Sequence, residues 1–232
     1  FIQRMETQLK NQEAEPMVAF SDAATKSLYG DNPLTKRTKV EDLAGVDYKR
    51  VMEMYKQLFR NPGSFVFTFV GNIEEAKVKP VIEQYLASLP GQAVKGEFIH
   101  VPMDYLKGKS ENIFQREMQN PKASVFIAAT GNMERNQKNI LLMSMFDQIL
   151  DIVYTEKIRE DEGGTYGVYT QGGISRYPQG QSTLQIVYDT DPAKMESLNA
   201  IIHRELKSIA DDGPRAEDFS KVKEYMLKQY NE

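Results

Sequence analysis

The chain has 232 residues, 41% of them apolar and 27% charged, which is ordinary globular composition and enough for one large or two modest domains. A formal charge of −4, with no basic run of five or more, argues against a nucleic-acid partner, and no apolar run approaches the roughly 18 residues of a membrane span. The absence of cysteine excludes a disulfide framework, a thiolate metal site and a cysteine nucleophile, but assigns no compartment.

The opening Phe1 to Met5 and the closing Lys221 to Leu227 both read as interiors of helices, which predicts a fragment of a longer protein. Residues 17 to 30 form an amphipathic helix stopped at Gly30, and Asp31-Asn32-Pro33 is a turn. Leu43, Val46, Val51, Met54, Tyr55 and Leu58 recur near helical spacing, with Asp47 placed to cap a helix running to Arg60. Phe65-Val66-Phe67-Thr68-Phe69-Val70 is the strongest strand signal, ended by Gly71-Asn72. A helix from about Glu74 to Ser88 and a Pro90-Gly91 stop complete a first unit, 1–91. Residues 92–111 have poor periodicity and read as a linker.

The second unit, 112–232, opens with an edge-like strand over 112–118 and a core strand over 123–130. A long helix follows to Arg159, with Leu142, Met145, Phe146, Ile149, Val153 and Ile158 as the stripe that packs on a sheet. Strands over 165–175 and 181–189 come next, then a helix started by Asp191-Pro192, a break at Gly213-Pro214 and a last helix. Ser64 to Glu74 and Ser124 to Glu134 echo one another, as a duplicated strand-then-helix unit or through shared turn chemistry.

The candidate chemistry is sparse. His100 and His203 are the only histidines, with no carboxylate at metal-ligand spacing, so no metal site is expected in this chain. There is no G-x-S-x-G elbow, and neither glycine pair, Gly163-Gly164 nor Gly172-Gly173, sits where a phosphate loop must. That leaves Arg159 and Tyr166, seven residues apart across a Gly-Gly break between helix and strand. Such a break can bring a guanidinium and a phenol, both able to bind a peptide carbonyl, to one mouth. The plain alternative is equally legible: a cation in the last turn suits the helix dipole, and a tyrosine can pack in a strand.

The run from Ile158-Arg159-Glu160 through Gly164-Thr165-Tyr166-Gly167-Val168 resembles the C-terminal part of zinc peptidases of the pitrilysin–insulysin family, the inverzincins. Phe69-Val70-Gly71-Asn72-Ile73 followed by Lys79 to Pro90, and Tyr29 to Pro33 followed by Val40 to Leu43, are similar to further parts of that family, in its order. The resemblance implies an α+β fold built of two processing-peptidase-like (LuxS/MPP-like metallohydrolase) α/β sandwich units, each an antiparallel-rich sheet with helices on one face. It implies that Arg159 binds substrate backbone and that Tyr166 binds substrate and donates to the oxyanion, both at an active site in another half of the protein. It places zinc in that N-terminal half, as partner or same polypeptide, since the inverted H-x-x-E-H motif is absent here. Expected, then, is a C-terminal half of a bacterial zinc metalloendopeptidase that clamps peptides and is inactive alone, with the periplasm or cell envelope favoured as its compartment. A non-catalytic structural or interaction module of the same fold is the alternative.

Overall fold

The computed structural model describes residues 1–92, 99, 101–160, 165, 167–177 and 179–231. It divides into two compact units, one of Phe1–Leu9 with Thr38–Val101 and one of Lys10–Arg37 with Pro102–Glu232.

The first unit is helical. The start of α1 (Ile2–Ala14), a 3-10 turn (Val40–Gly45), α3 (Tyr48–Phe59) and α4 (Glu75–Tyr85) are its regular elements. Asp47 caps α3 as its sequence predicts, accepting from the Lys49 amide at 2.8 Å. Asn61 clasps Gln92: its Oδ1 accepts from the Gln92 amide at 2.9 Å and its Nδ2 donates to the Gln92 carbonyl at 3.0 Å. Gly63 sits beneath this clasp, where a Cβ would lie 2.2 Å from the Gln92 oxygen, so no side chain fits.

The strand expected over Phe65–Val70 is not formed. A strand is a pairing and not a property of one segment, and no described residue supplies a ladder to this one. Its alternation survives without the sheet. Val66 and Val70 are 90% and 91% exposed, whereas Phe65 and Phe67 turn the same way, with ring centroids 6.2 Å apart. Phe59 of α3 meets the Phe65 ring edge-on at 5.8 Å.

The second unit carries the sheet. Its elements are α2 (Pro16–Tyr29), β1 (Ala123–Asn132), α5 (Gln137–Tyr154), β2 (Val168–Ile174), β3 (Gln181–Thr190), α6 (Met195–Asp212) and α7 (Ala216–Asn231). The three strands are antiparallel in the order β1-β3-β2. Cross-strand rows Val125–Tyr188–Val168 and Ile127–Ile186–Thr170 supply the core side of the sheet. The next row, Ala129–Leu184–Gly172, explains how α5 approaches: a Cβ on Gly172 would lie 2.8 Å from Met143 Sδ. The Gly172 amide donates to Asp147 Oδ1 at 3.1 Å, and Thr170 Oγ1 to the Asp147 carbonyl at 3.2 Å, tying helix to strand.

Leu150, Tyr154, Ile158 and Ile202 are at 0% exposure in the core. Burial desolvates the Tyr154 and Tyr188 phenols and raises their pKa values, Tyr188 to about 12. Each finds a partner: Tyr154 Oη donates to the Ile202 carbonyl at 3.4 Å, and Tyr188 Oη bonds Asn199 Oδ1 at 2.8 Å.

The expected stripe on α5 needs two corrections. Leu142 is half exposed, because burial on this helix begins one residue later at Met143, and the fully buried Leu150 was not in the stripe. The edge strand expected over 112–118 is likewise not formed. Those residues are exposed, and β1 pairs only with β3 among the described residues.

Candidate functional site

Helix α5 does not end where its α-geometry does. Residues Thr155–Glu160 continue it as one wider, π-helical turn, an arrangement over-represented at functional sites. Three contacts hold this turn and the chain after it. Ile158 is fully buried in the core. Glu156 receives a two-pronged hydrogen bond from Arg215, just before α7: Nη1 to Oε1 at 3.1 Å and Nη2 to Oε2 at 2.6 Å. Beyond the turn, Thr165 Oγ1 donates to the Asp189 carbonyl on β3 at 2.5 Å.

Asp189 is itself held. Burial opposes its charge, but hydrogen bonds from Ser124 and Lys122 outweigh that and hold its carboxyl below the ordinary value. Arg215 reaches further, its Nε donating at 2.6 Å to Asp218 Oδ2, whose side chain is fully buried. The other Asp218 oxygen has no partner among the described residues.

Arg159 lies on the clamped turn, exposed, its side chain making no hydrogen bond or ion pair with another described residue. A guanidinium so placed can take a carbonyl or carboxylate from outside the chain. Tyr166 and His100 lie outside the described residues; Thr165 is tied to β3 and Val168 is buried. His203 is exposed on α6.

No group of three or more metal-ligating side chains occurs among the described residues, and with two histidines in the whole chain the donor set does not fit a zinc site. No described helix is long and apolar enough to cross a membrane.

Sequence reasoning missed Arg215, Glu156 and Asp218. Glu156 and Arg215 are 59 residues apart, a separation that leaves no local signal. Only Asp218 could have been found, as an acidic residue in the first turn of a helix that follows Gly213-Pro214.

The Arg215 guanidinium first, and then Lys157, hold the Glu156 carboxyl at about 2 against an ordinary 4.5. A depressed folded value means that its stabilisation is complete above the unfolded pKa and is lost as pH falls towards the folded one. The urea midpoint of the Glu156→Gln variant is therefore expected to fall less steeply than that of the unaltered chain between about pH 5 and pH 3. Parallel slopes would show that the pair carries no pH-dependent stability.

A small antiparallel sheet packed against helices, with a clamped arginine-bearing turn, describes an α+β domain. The chain belongs to the peptidase M16 family: residues 45–226 match the model of the peptidase M16 inactive domain. It is 21% identical over 236 residues to a zinc protease PQQL-like protein of Arabidopsis thaliana, covering 96% of this chain and 25% of that protein. It is 23% identical over 199 residues to a probable zinc protease PqqL of Haemophilus influenzae, covering 84% and 20%. The solved periplasmic protease PqqL of Escherichia coli shares the fold, with a TM-score of 0.77 and 15% identity over 99% of this chain and 26% of that one. The chain thus spans about a quarter of the length of these relatives. The resemblance to zinc peptidases seen in the sequence is borne out at the level of the family, and the domain is its inactive one.

Proposed function

We propose that this chain is the C-terminal, non-zinc-binding part of a bacterial zinc metalloendopeptidase, which clamps peptide substrates and presents Arg159 and Tyr166 to an active site in the N-terminal half. The observation that carries the reading is Arg159: an exposed guanidinium, without a described partner, on a turn held by Arg215 on one side and followed by the Thr165 anchor.

In this reading Arg159 holds substrate backbone through charge-assisted hydrogen bonds, and Tyr166 donates its phenolic proton to the oxyanion as charge develops there. Zinc belongs to the partner half, because the residues here do not fit it. Residues 1–91 are the end of one processing-peptidase-like unit, 92–111 a linker, and 112–232 most of the next. The unpaired Phe65–Val70 supports that division, since its alternating pattern suits a sheet completed by other parts of the parent domain. The naming of the Escherichia coli neighbour as periplasmic favours the cell envelope as compartment.

The test is cleavage of an unfolded peptide by the full-length protein. Arg159→Ala is expected to lower kcat/KM by about tenfold or more, the scale of a charge-assisted hydrogen bond. Absent cleavage by the full-length protein, or full kcat/KM in the variant, would overturn the reading.

A further inference from the structure

Arg215 makes more contacts than stability alone explains. Its guanidinium reaches three carboxylates from one position: two-pronged to Glu156, at 2.6 Å to Asp218, and at 3.8 Å to Glu217. Asp218 is fully buried and, among the described residues, its carboxylate is bonded by Arg215 alone, so the base of the guanidinium is fixed by a group that cannot move into water. Glu156, about one-third exposed, is the end of this chain of contacts, and it lies in the same π-helical turn as Arg159, three residues earlier. A partly exposed ion pair such as Arg215–Glu156 adds little net stability, whereas its two-pronged form adds geometric specificity.

We propose that Arg215, seated on Asp218 and gripping Glu156, is a positioning residue that fixes the turn Thr155–Glu160 and so sets the direction in which Arg159 is presented to the peptide. The inference rests on the substrate-binding reading of Arg159 above. The geometry supports it in a specific way. The turn continues α5 and seats Ile158 in the core, and the attachment on Glu156 adds a second tie, to the residue before α7. The partner, Arg215, stands at the entry to α7, whose Val222 is buried in the same core. Both ends of the strut are therefore anchored in the packed interior.

A double-mutant cycle in the full-length protein tests this. Arg215→Ala would also strip a buried carboxylate of its counter-ion, so the informative variant is Glu156→Gln, which leaves the Arg215–Asp218 pair in place. With an unfolded peptide as substrate, Glu156→Gln is expected to lower kcat/KM by about three- to thirtyfold, mainly through KM, and to have no further effect when Arg159 is already Ala. Amide hydrogen exchange over 155–160 should rise in Glu156→Gln in both backgrounds, which reports the loosened turn independently of activity. Unchanged kcat/KM in Glu156→Gln, or a loss of the same size in the Arg159→Ala background, would overturn the inference. The two readings fail separately. A silent Arg159→Ala variant defeats the substrate-binding reading and this one with it, whereas a damaging Arg159→Ala with an undiminished Glu156→Gln effect defeats the positioning role alone.

Discussion

In the full-length protein, Tyr166→Phe is expected to lower kcat by about a hundred- to a thousandfold while leaving KM nearly unchanged, the signature of losing one donor to a developing oxyanion. The substitution is chosen for what it spares. Phenylalanine keeps the ring, its volume and its strand preference, so a tyrosine that served only as packing would tolerate the change with little loss of stability or turnover. A phenol used as a donor in the transition state would not: one such hydrogen bond is worth about 3 kcal/mol there and little in the ground state. In the sequence around it, Thr165 is tied to the Asp189 carbonyl and Val168 is buried opposite Tyr188. A variant with kcat within about threefold of the parent would remove the oxyanion role from Tyr166 and leave Arg159 to be judged alone.

Much of the second unit was legible because its signals are local. Asp191 before Pro192 marks a helical start, and the structure shows its carboxylate accepting from the Ala193 amide at 2.8 Å. Gly213 ends α6 with a positive φ of 80°, a conformation that glycine adopts without strain. The two strands of alternating β-branched and apolar residues, 123–130 and 181–189, both formed, and they pair with each other. The failures share one cause. Phe65–Val70 and 112–118 have strand-like residues, but a ladder needs a second segment, and no property of the first announces one. The same limit hid the Glu156–Arg215 pair, which joins two helices across more than fifty residues. It also hid the use of Gly172, read in the sequence only as an unsuitable phosphate loop, as the place where Met143 approaches the sheet. At the candidate site, the sequence pointed to Arg159 through resemblance and spacing, while the contacts that hold its turn became visible only in three dimensions.

Leu150→Ala is expected to destabilise the sheet-bearing unit by about 2–5 kcal/mol, and Leu142→Ala, one helical face away in outcome, by less than about 1 kcal/mol. Both residues are leucines on α5, so helix propensity changes equally and cancels in the comparison. They differ in surroundings. Leu150 is at 0% exposure among Ile149, Tyr154, Ile186 and Ile202, where truncation leaves a cavity that close-packed neighbours cannot fill. Leu142 is 50% exposed, and water replaces what its methyl groups lose. At the upper end the first loss would lower the unfolding midpoint by ten degrees or more, since each kcal/mol is worth about 2–4 °C in a domain of this size. Thermal unfolding followed by circular dichroism reads both variants. Equal losses would mean that the apolar stripe running through Leu142 is buried after all, and that α5 packs in a register different from the one that places Ile158 inside and Arg159 outside. The comparison therefore bears on the site as well as the core, because the direction of Arg159 is inherited from the rotation of α5 about its own axis.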